Sequence, residues 1–106
     1  MIFHERDSLI RKELVPGISG ELIHTETMSI GYFDIEKGAI LPEHSHVHEQ
    51  VTSLLAGELE MTVNGESKIM KAGHVATIPP HAVHAALALT DCKVIDVFNP
   101  VREDYK

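Results

Sequence analysis

Glu58-Leu59-Glu60-Met61-Thr62-Val63-Asn64-Gly65-Glu66-Ser67-Lys68-Ile69-Met70 alternates polar and apolar side chains up to Asn64-Gly65, and the chain then returns. A period of two places the apolar residues on one face of a strand. Asn-Gly is the favoured dipeptide of the two-residue type I′ turn, so residues 58–63 and 66–70 read as a β-hairpin. Outward from it, turn signals recur at Pro16-Gly17, Ser19-Gly20, Lys37-Gly38, Ala56-Gly57, Ala72-Gly73, Pro79-Pro80 and Asn99-Pro100. Between them, residues 28–35, 40–45, 49–55, 74–78, 83–89 and 93–98 are short, apolar-rich and of strand length. Nothing in the chain demands a long helix. Many short antiparallel strands predict an all-β sandwich or barrel, and a jelly-roll barrel limits the exposed strand edges of so small a domain. The segment ending near Gly20 carries mixed signals and is expected either to pack on the barrel or to exchange with a second copy.

The 106 residues suit one domain with one modest core, read here as residues 1–106 with the barrel core at about 28–99. Hydrophobic residues at 43% and charged residues at 24% place the chain among globular proteins. A formal charge of −7 argues against nucleic acid and anionic membranes as partners. No apolar run approaches the roughly 20 residues of a membrane span, and the first residues become charged before a signal-peptide core forms, so a cytoplasmic location is expected. Cys92 is the only cysteine, which rules out an internal disulfide, and it is assigned no role.

His44 and His46, two residues apart on a predicted strand, present two imidazoles on one face. That arrangement suits a borderline metal ion, and equally describes two solvent-facing histidines. The context favours the metal. Gly38, five residues, His44-Ser45-His46, three residues, Gln50, six residues and Gly57 resemble the first motif of the cupins. Gly73, five residues, Pro79, one residue, His81, two residues and His84 resemble the second. The resemblance implies a double-stranded β-helix, or jelly-roll barrel, in which the two blocks face each other. It implies that His84 joins His44 and His46 on one divalent ion (zinc, nickel, manganese, iron or cobalt), and that a homodimer forms.

Three positions depart from that pattern: Gln50 stands where glutamate is usual, His81 where glycine is usual, and Ala88 where asparagine is usual. A neutral ligand set leaves an ion its full charge, which favours Lewis-acid over redox chemistry. Gln50 is read as the fourth ligand, with the alternative that it hydrogen-bonds beside three histidine ligands. Glu49 points to the opposite face by alternation. His48 and His81 lie beside the ligands and are expected to be solvated unless they touch substrate or a dimer partner, while His4, His24 and His74 are given no role. Ala86 and Ala88 share the side of His84, where small residues leave room for a ligand.

Asp96 interrupts the apolar face of 93–98 that carries Val94 and Phe98. It reads either as an outward acid or as a carboxylate directed at the metal site, where it would serve as general acid or base. Arg102 has a planar fork suited to a substrate carboxylate, against the alternative of a solvated tail residue. A narrower resemblance, carried by 44–50, 54–58, 79–84 and above all Asp96-Val97-Phe98-Asn99-Pro100-Val101-Arg102-Glu103-Asp104-Tyr105, is to the KdgF-type cupins. It matches Gln50 to the metal set and Asp96, Phe98 and Arg102 to the active site. It implies an isomerase-type enzyme that converts 4,5-unsaturated monouronates from pectin or alginate to linear keto forms, with a carboxylate sugar as the small-molecule partner. The rival readings are a metal-dependent oxygenase or other small-acid-processing cupin, and a non-catalytic sugar or metabolite sensor.

Overall fold

The computed structural model describes residues 2–106. The strands are β1 (Arg11–Val15), β2 (Ile18–His24), β3 (Ser29–Ile35), β4 (Ile40–His44), β5 (Glu49–Ala56), β6 (Glu58–Val63), β7 (Glu66–Lys71), β8 (Val75–Ile78), β9 (His84–Ala88) and β10 (Cys92–Asn99), with short 3-10 turns at Arg6–Ser8 and Glu103–Tyr105. They form two antiparallel sheets, six strands in the order β1-β2-β3-β10-β5-β8 and four in the order β4-β9-β6-β7. This is the expected all-β jelly roll. At the β6–β7 turn, Val63 faces Glu66 and the two residues between them, Asn64 and Gly65, have φ of 48° and 83°, the positive values a type I′ turn requires.

The alternation read from sequence is the alternation of burial. In β3, Ser29, Gly31, Phe33 and Ile35 are buried while the residues between them are half-buried. Phe33, Leu54, Leu59, Met70, Ile78 and Val94 meet between the sheets, each at 3% exposure or less. Each large apolar side chain so buried contributes about 1.5–3 kcal/mol. Gly31 lies opposite Asp96 in the β3–β10 ladder, and a Cβ at this position would run into the Phe33 ring. Glycine there lets Phe33 fold back over the strand beside the acid.

Ten strands stand where the sequence suggested eight, because the N-terminal segment is itself a hairpin on the chain's own barrel. β2 buries Ile18, Gly20 and Leu22 against β3, but Glu21 hides the pattern by being buried as well. Arg11 Nη1 donates to Glu21 Oε2 at 2.6 Å, which compensates that acid. The strand predicted at 40–45 stops at His44, after an irregularity between Leu41 and His44. No helix among the described residues is long and apolar enough to cross a membrane.

Candidate metal centre and cavity

His44 ends β4, His84 begins β9, and the two are direct ladder partners with ring centroids 4.1 Å apart. His46 does not share their sheet, contrary to the expectation of two histidines on one strand face, because the ladder ends at His44. Its segment is pinned instead by the His81 N–H, which donates to the His46 carbonyl at 2.7 Å. The His46 ring still arrives 5.5 Å from His44 and 4.8 Å from His84. One ligand atom from each of these three histidines lies within 4.8 Å of the others, a group that could hold a metal ion.

The protons on these rings are fixed by the backbone. His44 Nδ1 lies 2.8 Å from the Pro42 carbonyl, His46 Nδ1 3.0 Å from the His48 carbonyl and His84 Nδ1 2.9 Å from the Ala82 carbonyl. A carbonyl only accepts, so each Nδ1 carries the hydrogen, and in the neutral form of each ring the lone pair is at Nε2. Burial, followed by the Arg102 and His84 charges, holds His46 down at about 4. Burial likewise lowers His84, whose Nε2 is buried with no hydrogen-bond partner among the described residues.

Gln50 offers an oxygen beside the three histidines. Its Nε2 donates to Thr52 Oγ1 at 2.9 Å and to Asp96 Oδ1 at 3.4 Å, so its carbonyl Oε1 must face His46 Nε2, 3.1 Å away. Two lone-pair atoms facing each other repel unless a cation or a proton lies between them. Donors bound to one ion at about 2.0–2.1 Å sit roughly 3–3.5 Å from each other, which matches this pair. The residues therefore fit a divalent ion.

Asp96 projects inward and is not an outer-face acid. Thr52 Oγ1 donates to its Oδ1 at 2.6 Å. Burial pushes the carboxyl up to about 6, against the opposing pull of the Thr52 and Gln50 hydrogen bonds and the Arg102 charge. Thr52, 2% exposed, escaped the sequence reading because an inward threonine on a strand looks like any half-buried β-former. His44, Gln50, Asp96, Phe98, Arg102 and Tyr105 line one cavity together with Met61, Ala86 and apolar residues of the core. Ala86 leaves the expected room, whereas Ala88 is packed in the core.

Arg102 is buried rather than solvated, at 5% exposure. Its Nε donates to Asp104 Oδ1 at 3.0 Å and its Nη2 to Asp104 Oδ2 at 2.8 Å. The guanidinium carbon lies 4.7 Å from the Phe98 ring centroid and 3.8 Å from that of Tyr105, and Nη1 is buried without a partner among the described residues. One edge of the fork is thus taken by the chain itself. Asp104 was not singled out from the sequence, where it looks like one more acid in a charged tail.

The neighbouring residues separate. His81 is exposed and has φ of 64°, which explains why glycine suits its position. His48 is half-buried instead of solvated, with Nε2 donating to the Val101 carbonyl at 3.3 Å and its ring edge-on to Phe98. Glu49 is exposed, as alternation requires, and Cys92 is buried at 3% exposure.

Two sheets closing over a three-histidine cluster define a class, and residues 31–98 match the cupin domain family. The chain belongs to the cupin family. Within it, the chain is 31% identical over 97 residues to the pectin degradation protein KdgF of Dickeya dadantii (strain 3937), covering 89% of this chain and 88% of that protein. The structure of KdgF from Halomonas sp. superposes with a TM-score of 0.90 at 29% identity, covering 98% of this chain and 97% of that one. An RmlC-like cupin from Shewanella frigidimarina NCIMB 400 superposes with a TM-score of 0.93 at 28% identity, covering 100% and 96%.

Proposed function

We propose that this single-domain cupin, residues 1–106, isomerises 4,5-unsaturated monouronates released from pectin or alginate to linear keto forms, acting in the cytoplasm as a homodimer. The observation that carries the reading is one cavity lined by an inward acid, a buried arginine and a metal-suited histidine, in a chain 31% identical to a protein named for pectin degradation. His44, His46 and His84 through Nε2, with Gln50 through Oε1, are the donors for one divalent ion. When bound, that ion supplies Lewis-acid polarisation of substrate oxygens.

The chain's own residues do the rest. Arg102 pairs with the uronate carboxylate through the guanidinium edge that Asp104 leaves. Phe98 packs against the sugar and, with the buried walls, keeps water from the reacting carbons. Asp96, as carboxylate, takes the O1 hydroxyl proton while the C1–O5 bond breaks and its electron pair stays on O5. Asp96, now the acid, delivers a proton to C4, and the enolate becomes a C5 ketone. One proton leaves oxygen and one arrives at carbon, so the net change is an isomerisation. The test is to incubate purified protein with each unsaturated monouronate and follow the ultraviolet absorbance of the conjugated double bond. Loss faster than the spontaneous reaction is expected, and no acceleration on any such sugar overturns the reading.

A further inference from the structure

We propose that Asp104 is a positioning residue that turns Arg102 into a directional carboxylate receptor. The proposal rests on the reading of Arg102 as the residue that binds the substrate carboxylate. A guanidinium has five N–H donors in a plane. Asp104 occupies Nε–H and one Nη2–H through two hydrogen bonds, at 3.0 and 2.8 Å. The rings of Phe98 and Tyr105, 4.7 and 3.8 Å from the guanidinium carbon, fix the plane itself. What remains is the Nη1–Nη2 edge, and Nη1 is buried and, among the described residues, unpartnered, in a residue that lines the cavity. An arginine buried with an unpaired donor is costly unless something binds there.

The carboxylate that does the orienting is itself held. Its turn is fastened to β1 by Lys12 Nζ, which donates to the Tyr105 carbonyl at 2.6 Å, and to itself by Tyr105 N–H on the Arg102 carbonyl at 3.1 Å. The Asp104 side chain is 58% exposed against 5% for Arg102. A pair with one solvated member adds little to folding stability, so its bidentate geometry acts on where the arginine points. Asp104→Ala is accordingly expected to fold.

The test is a double-mutant cycle on Asp104→Ala and Arg102→Ala, read first as kinetics on an unsaturated monouronate. Asp104→Ala should raise KM about tenfold and leave kcat within about twofold, as expected for a weakened charge-assisted contact. In the Arg102→Ala background the same substitution should change nothing further. Asp104→Glu, which keeps a carboxylate, should recover most of the affinity. Additive effects, an unchanged KM, or a KM that falls because Asp104 had been competing as an internal carboxylate would each overturn the proposal. Two readouts do not need turnover. The Kd for D-galacturonate, against D-galactose as the uncharged control, should follow the same cycle. The Arg102 Nε–H proton resonance should be protected from exchange in the wild type and lose that protection in Asp104→Ala. If the wild type neither turns over nor binds uronates, the functional reading fails, and an Nε–H equally protected in both proteins removes Asp104 as well.

Discussion

Replacing Thr52 by valine keeps the shape of a side chain that is 2% exposed and removes one hydroxyl. That hydroxyl has two partners: it accepts from Gln50 Nε2 at 2.9 Å and donates to Asp96 Oδ1 at 2.6 Å. A hydrogen bond to a charged acceptor contributes about 1.5–3 kcal/mol and a neutral one about 0.5–1.5. Against this, valine has no hydroxyl to desolvate, and Gln50 keeps its contact with Asp96 at 3.4 Å. The balance is a loss of about 2 kcal/mol in the metal-free protein, which for a domain of this size lowers Tm by about 10 °C. Urea denaturation of EDTA-treated protein should show a lower midpoint at unchanged slope. Turnover should fall as well, because Asp96 loses its shortest anchor. Thr52→Ser keeps the hydroxyl and should retain activity. If Thr52→Val is as stable and as active as the wild type, the hydroxyl does not hold Asp96 and the account of the acid's placement is wrong.

Asp96→Asn preserves size and metal content and should reduce turnover of unsaturated uronates by ~10²–10⁴ with little change in KM; a wild-type rate would remove Asp96 from the chemistry. His44→Ala, His46→Ala or His84→Ala should each abolish stoichiometric divalent metal on elemental analysis, and undiminished metal in all three would refute the donor set. His81→Gly relieves a left-handed backbone at φ 64° and should stabilise the protein by about 0.5–1 kcal/mol without altering metal content. Asp34 is held below the usual carboxylate range by its hydrogen bonds to Lys93 and Arg11. The unfolded chain therefore binds this proton first, and the stabilisation is present at neutral pH and is lost as pH falls below about 4. Because the Asp34 side chain is 37% exposed, Asp34→Asn should cost under about 1 kcal/mol at pH 7, and the gap to wild type should close in acid melts.

What the sequence carried was local and periodic. The Asn64-Gly65 hairpin could be read because turn chemistry and period-two alternation are properties of neighbours along the chain; alternation put Asp96 on the face of Val94 and Phe98 but left its direction open, and the facing of the two histidine blocks came from their resemblance to the cupin motifs. The β1–β2 hairpin escaped because Glu21 occupies a buried position, tolerable only with Arg11 folded across from β1. The expectation that His44 and His46 share one strand face fails because β4 ends at His44, and its irregularity leaves no mark in composition. Thr52 and Asp104 were missed for a shared reason. Each acts through a contact whose geometry decides its meaning, and an inward threonine or a tail aspartate has the same letter whether or not that contact exists.

The three imidazoles are aimed by peptide carbonyls of Pro42, His48 and Ala82, not by side chains. No single substitution outside the ring-bearing residues can delete such an acceptor, since every amino acid supplies a carbonyl. The direction of the lone pairs is therefore insulated from mutation of the surrounding residues, provided the backbone path holds. The apolar walls of the cavity have no such protection: Leu41, Met61 and Ala86 contribute through their side chains. A barrel built this way separates what is inherited from what is adjustable, so a library varied at the walls should change which molecule is accepted while leaving the imidazoles aimed as they are.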